Sequence, residues 1–177
     1  SWPGRPRTEK TLTIKGMITP PKLSLYIHFP WCVQKCPYCD FNSHQLKTEL
    51  DETAYVDALL ADLEQDLPLI WGRTVNTIFM GGGTPSLFSA QAMQRLLSGI
   101  RSLLPIRPDA EITMEVNPGS REFDDLSAYR QAGINRLSFG VQSLDNDSLK
   151  VLGRIHNADQ AVIAIQKARQ AGFDNFN

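Results

Sequence analysis

The stretch Tyr26-Ile-His-Phe-Pro-Trp-Cys32-Val-Gln-Lys-Cys36-Pro-Tyr-Cys39-Asp-Phe41 decides the reading of this chain. It opens in an alternating, apolar run, Leu23–Phe29, with the period of a β-strand. It then breaks at Pro30 into a loop that holds every cysteine of the protein, Cys32, Cys36 and Cys39. An odd number of cysteines, clustered in eight residues, argues against a disulfide framework and for metal binding or catalysis. The spacing C-x3-C-x2-C lets a short loop wrap three thiolates around three corners of a cubane cluster, leaving the fourth iron open. The competing reading is structural zinc, which asks for a fourth ligand. His28, Asp40 and His44 are the candidates, although the chain has no second cysteine knuckle. Unliganded core cysteines are a weaker third reading.

Outward from this loop, strand and helix signals alternate. Thr53–Leu67 has apolar residues at helical spacing, with Asp51 or Thr53 as a cap. Val75–Met80 is a short buried strand ending in Gly81-Gly82-Gly83-Thr84-Pro85. Ser89 can cap a helix that places Met93, Leu96, Leu97, Ile100 and Leu104 on one face. Glu111–Val116 is a third strand, stopped by Asn117-Pro118-Gly119. Phe123–Ala132 reads as a helix closed by Gly133. Arg136–Val141 is a fourth strand. Asp145–Leu152 and Ala158–Ala171 read as helices, the latter stopped by Gly172, and Phe173–Asn177 as the beginning of a fifth strand. Such alternation predicts a parallel sheet with helices outside it. No linker divides the pattern, so one domain is expected over residues 17–177. Residues 1–16 are expected to be a disordered or non-native extension, with Met17 as a natural start.

Side-chain parity adds a site. Glu115 and Asn117 share one face of the third strand; Ser138, Gly140 and Gln142 share one face of the fourth; Tyr26 and His28 share one face of the first. Small and polar residues thus gather at the carboxyl ends of strands, where parallel α/β folds bind ligands. A glutamate there is costly unless paired with a cation, from the protein or from a ligand. The glycine run, taken alone, is more often a tight turn than a place for close ligand approach.

Composition excludes several classes. A formal charge of −1 carries no nucleic-acid footprint. No apolar run approaches the ~20 residues of a membrane span, and the polar start lacks the apolar core of a signal peptide. A cytoplasmic, reducing location is expected.

On the cysteine spacing, the aromatic before the last cysteine and the wider string YIHFPWCVQKCPYCDF, the chain resembles the radical S-adenosylmethionine (SAM) superfamily. Within it, the resemblance is to the branch of oxygen-independent coproporphyrinogen III oxidases and the HemW heme chaperones, and runs from about Leu23 to the last residue. The resemblance implies a partial (β/α)6, TIM-like barrel, here truncated in about the fifth strand and expected to be poorly stable alone. It implies a [4Fe–4S] cluster on Cys32, Cys36 and Cys39, with SAM chelating the open iron and cleaved on reduction to methionine and a 5′-deoxyadenosyl radical. By residue match it places Tyr26, Tyr38, Gly82, Gly83, Thr84 and Glu115 against the first SAM, and Gln142 and Arg154 against a second one in the oxidases. It implies heme or porphyrin as ligand, an electron donor such as flavodoxin or ferredoxin, and respiratory proteins as heme acceptors. The oxidases usually carry a fourth cysteine, in the spacing C-x3-C-x2-C-x-C, which this chain lacks, and that favours the heme-chaperone side of the branch. His28 and His156 are read as structural residues rather than heme ligands.

Overall fold

A computed structural model describes residues 20–70, 72–119 and 126–177; the expected extension over residues 1–16 and the first residues of the helix expected from Phe123 lie outside these. Strand β1 spans Leu23–Phe29, β2 Trp31–Cys32 and β3 His44–Gln45. Helix α1 spans Glu52–Ile70, followed by β4 at Val75–Gly82, a 3-10 turn at Pro85–Leu87 and α2 at Ala90–Leu103. Then come β5 at Ile106–Val116, α3 at Leu126–Ala132, β6 at Arg136–Phe139, α4 at Asn146–Val151 and α5 at Ala158–Gln170.

Four strands form one sheet in the order β1-β4-β5-β6, and every pairing is parallel. The expected fifth strand is present only as a bridge between Leu137 and Phe176, with Leu137 N–H donating to Asn175 O at 3.2 Å and Phe139 N–H to Asn177 O at 2.7 Å. Because all strands run the same way, their carboxyl ends meet on one rim. The helices cover the outer face. Ile27, Phe29, Ile78, Met80, Ile112, Met114 and Leu137 point to that side and are buried against Val56, Met93, Leu96, Leu97 and Ile100.

Several boundaries differ from the sequence reading. β5 begins at Ile106 rather than Glu111, because Ile106 pairs with Val75 across an irregular register that accommodates Arg107, Pro108 and Asp109. β6 stops at Phe139 because Val141 N–H turns back to Phe139 O at 2.9 Å. The cysteine loop is not wholly irregular: β2 and β3 pair in parallel and fold it back on itself. Its ends are closed by His44 N–H to Pro30 O at 2.6 Å and Leu46 N–H to Cys32 O at 2.8 Å.

Both expected caps for the first two helices form. Asp51 Oδ1 accepts from Ala54 N–H at 2.9 Å, and Ser89 Oγ accepts from Ala92 N–H at 3.1 Å. Glu52 reaches across from α1 to the same serine, accepting from Ser89 N–H at 2.7 Å and from Ser89 Oγ–H at 2.6 Å. This joint locks the start of α1 to the start of α2. Replacing Ser89 with alanine removes the cap and one arm of the joint, and should cost about 1 kcal/mol. The expected result is a lower urea midpoint with an unchanged m-value; an unchanged midpoint would show that the joint carries no stability.

Candidate functional site

The cysteine loop is stitched to the end of β4 by two backbone bonds. Gly83 N–H donates to Phe29 O at 2.6 Å and Thr84 N–H to Trp31 O at 2.7 Å. A Cβ on Gly83 would lie 2.5 Å from Trp31 O and 2.7 Å from Phe29 O, so only glycine allows this approach. Gly82 has φ +108°, and a Cβ there would overlap the His28 imidazole. The third amide of the run, Gly82 N–H, donates to Glu115 Oε2 at 3.0 Å. The glycine run therefore has its N–H groups already engaged. It presents bare backbone and carbonyl acceptors to the rim, which suits a ligand ammonium better than an anion.

A cavity of about 310 Å3 opens at this rim. Its wall includes all three cysteines together with Tyr38, Gly82, Gly83, Thr84, Glu115, Gln142 and Arg154. Of the residues singled out from sequence, Tyr26 is not in that wall. Its hydroxyl bonds to His28 Nδ1 at 2.9 Å and lies beside Gly82. Phe139 and Val116 also line the cavity, contrary to the strict parity expected for β5 and β6. For β6 the reason is that Gly140–Gln142 are a turn, not strand.

Glu115 is the half-buried acid of this wall. Burial pushes its carboxyl above the usual carboxylate range, while the Gly82 N–H bond and the charge of His28 pull it down. Among the described residues it has no salt bridge to a protein cation.

Arg154 was only a motif match in the sequence; in the structure it is the hub. Its Nη1 donates to Cys36 Sγ at 3.2 Å and Tyr38 Oη at 3.3 Å, and its Nη2 to Asn117 Oδ1 at 2.8 Å and Gly140 O at 2.5 Å. Burial lifts the Tyr38 phenol above its ordinary value, and the Arg154 guanidinium opposes that lift. Asn117 also donates through Nδ2 to Thr84 Oγ1 at 2.9 Å, tying the end of β5 to the glycine run. Sequence reasoning placed Asn117 on this face but gave it no role.

The three sulfurs are partly exposed and unbridged. Around them, Cys39 N–H donates to Cys36 O at 3.0 Å, and Lys35 Nζ closes the loop onto Phe41 O and Ser43 O at 3.2 and 3.1 Å. His28 is spent as a zinc ligand, because its Nε2 contacts Asn42 O at 2.8 Å while Nδ1 faces Tyr26. Among the described residues no group of three His, Cys, Asp or Glu side chains could hold a single metal ion. A cubane makes a different demand, since each cysteine binds a separate iron. A loop with three partly exposed sulfurs beside an open cavity fits that demand.

A radical SAM superfamily profile matches residues 26–177. The chain belongs to the radical SAM superfamily. Membership implies SAM and a [4Fe–4S] cluster. Among curated relatives, the chain is 56% identical over 161 residues to the heme chaperone HemW of Escherichia coli, covering 91% of this chain and 43% of that protein. It is 50% identical to HemW of Haemophilus influenzae, covering 89% and 42%. Among solved structures it resembles the radical SAM enzyme coproporphyrinogen III oxidase (HemN) of Escherichia coli, at 33% identity and TM-score 0.79, covering 88% of this chain and 36% of that one. The parallel sheet is thus part of a radical SAM barrel. The chain spans less than half the length of these relatives. No helix among the described residues is long and apolar enough to cross a membrane.

Because the folded-state value of Glu115 is raised, folding takes up a proton there. Its stabilising contribution is complete below the unfolded-chain value and is lost as pH rises through the folded value. Glu115→Gln cannot ionise and escapes that loss. In the ligand-free chain, the stability of Glu115→Gln relative to wild type should therefore grow as pH rises from acid towards neutral. Parallel curves in urea unfolding at each pH would remove desolvation as the cause.

Proposed function

We propose that this chain is the cluster- and SAM-binding part of a heme chaperone, a protein that binds heme and transfers it to target proteins. The observation that carries the reading is the 56% identity to HemW over nearly the whole chain. The chain has Phe41 two residues after Cys39, where the oxidases usually have a fourth cysteine, and this supports the same side of the branch.

Cys32, Cys36 and Cys39 would hold the cluster. When bound, a cluster with one open iron chelates SAM and supplies the electron that cleaves its sulfonium. The chain's own work is to bind and orient. The carbonyls of the Gly82–Gly83 run would accept from the SAM ammonium. Glu115, half-buried and without a salt bridge among the described residues, would gain a partner in a positively charged ligand. Tyr38, Thr84, Gln142 and Arg154 would complete the wall, with Tyr26 at its margin. An electron donor such as flavodoxin or ferredoxin, respiratory heme acceptors and a cytoplasmic location belong to the same reading.

The likeness to HemN favours one second reading, oxidative decarboxylation of coproporphyrinogen III. One experiment separates the two. Anaerobic reconstitution should give about four irons per chain, and Cys36→Ser should lose the iron–sulfur EPR signal. The reconstituted protein should then bind heme stably and leave coproporphyrinogen III unconsumed. Rapid conversion of the porphyrinogen would replace the chaperone reading with the enzymatic one.

A further inference from the structure

Beyond the cofactor contacts, the rim contains one strained residue, and the structure shows what holds it. Gln142 has φ +66°, the one non-glycine residue with positive φ among those described. Ser143 N–H donates to Val141 O at 2.8 Å, closing a three-residue turn with Gln142 at its centre. A turn of this hand is rare and strained, and a side-chain-bearing residue is held there only when its surroundings enforce it. The strain is spent at a place that matters, because Gln142 lines the cavity wall.

The Val141 carbonyl has a second lone pair, and His156 occupies it. His156 is 4% exposed, and its Nε2 lies 3.0 Å from Val141 O. A carbonyl can only accept, so Nε2 carries the proton and donates. The residue is packed closely at its root: a Cβ on Gly119 would lie 2.9 Å from His156 Cβ. His156 Nδ1 is buried without a hydrogen-bond partner, so the Val141 bond is the ring's one polar anchor. One residue earlier, Arg154 Nη2 holds Gly140 O at 2.5 Å. The Gly153–His156 segment after α4 thus grips two successive carbonyls at the entry to the turn, Gly140 and Val141.

We propose that His156 is a positioning residue: by donating to the Val141 carbonyl it holds the strained turn that aims Gln142 into the cavity. It is neither a metal nor a heme ligand in this role, and it acts on any cavity ligand only through Gln142. The part concerning ligand rests on the SAM reading of the cavity; the part concerning strain does not.

Two measurements test it. The first uses the ligand-free chain. If His156 enforces the strained turn, Gln142→Gly relieves strain in the wild-type background and should raise the folding equilibrium constant about fivefold. In a His156→Leu background the turn is already free to relax, so the same glycine should give no gain. Equal gains in both backgrounds, or none in either, would overturn the proposal. The second titrates SAM into the anaerobically reconstituted chain. His156→Leu should weaken binding about fivefold, as loss of one oriented contact does. Gln142→Ala should weaken it by a similar factor, and the double variant no further. His156→Gln, which retains a side-chain N–H donor, should recover most of the loss. Losses that multiply in the double variant would overturn the proposal, as would single variants that bind like wild type. A wild-type chain that loads its cluster yet ignores SAM would defeat the cavity reading, while the ligand-free cycle would still decide the role of His156.

Discussion

The approach of Gly83 to the carbonyls of Phe29 and Trp31 is the constraint on which the site depends. Cysteine loops are free to wander; this one is fastened at its root, where β1 ends, to the end of the neighbouring strand β4. The fastening needs parallel strands of matched length, so that Phe29 pairs with Gly82. It also needs a residue with no side chain at the next position. With both in place, the loop leaves the sheet at a set angle and its sulfurs come to lie over the same rim as Glu115 and Asn117.

From that rim inward the wall is built by connections distant in sequence. Arg154 joins Cys36, 118 residues away, to Asn117 and Gly140. Asn117 joins Thr84. The ends of β4, β5 and β6 and the cysteine loop are therefore one hydrogen-bonded unit. A guanidinium is suited to this because its donors lie in one plane and point in fixed directions. A lysine could serve only one or two of these acceptors at a time.

Much of the frame was legible from local pattern. β1 has the bounds its alternation implies, Ser89 caps α2 as its position before an apolar face implies, and Gly133 and Gly172, at φ +111° and +88°, end their segments. Where pattern failed, the cause was non-local or geometric. Nothing in Arg107-Pro108-Asp109 announces a strand, since that part of β5 owes its form to its place beside Val75. The two-residue pairing of β2 with β3 is too short to leave a period. Parity put Gly140 and Gln142 on a strand face, whereas a reversed turn carries them, and turn hand is not encoded by polarity. Apart from the family match, Arg154 had no signature of its own, because its meaning lies in acceptors contributed by three other segments. The cysteines were the opposite case: their spacing along the chain is itself the chemical information.

Gly82 and His28 fill one volume between them, the bare carbon on β4 leaving the room that the imidazole on β1 takes up. Neither site can drift by itself. A methyl group at Gly82 would need a smaller side chain at His28, which would surrender the contacts to Tyr26 and to the Asn42 carbonyl and so slacken the loop that bears the sulfurs. Two residues 54 positions apart are thereby bound to a shared evolutionary fate. Related chains should keep the pair intact or alter both members at once.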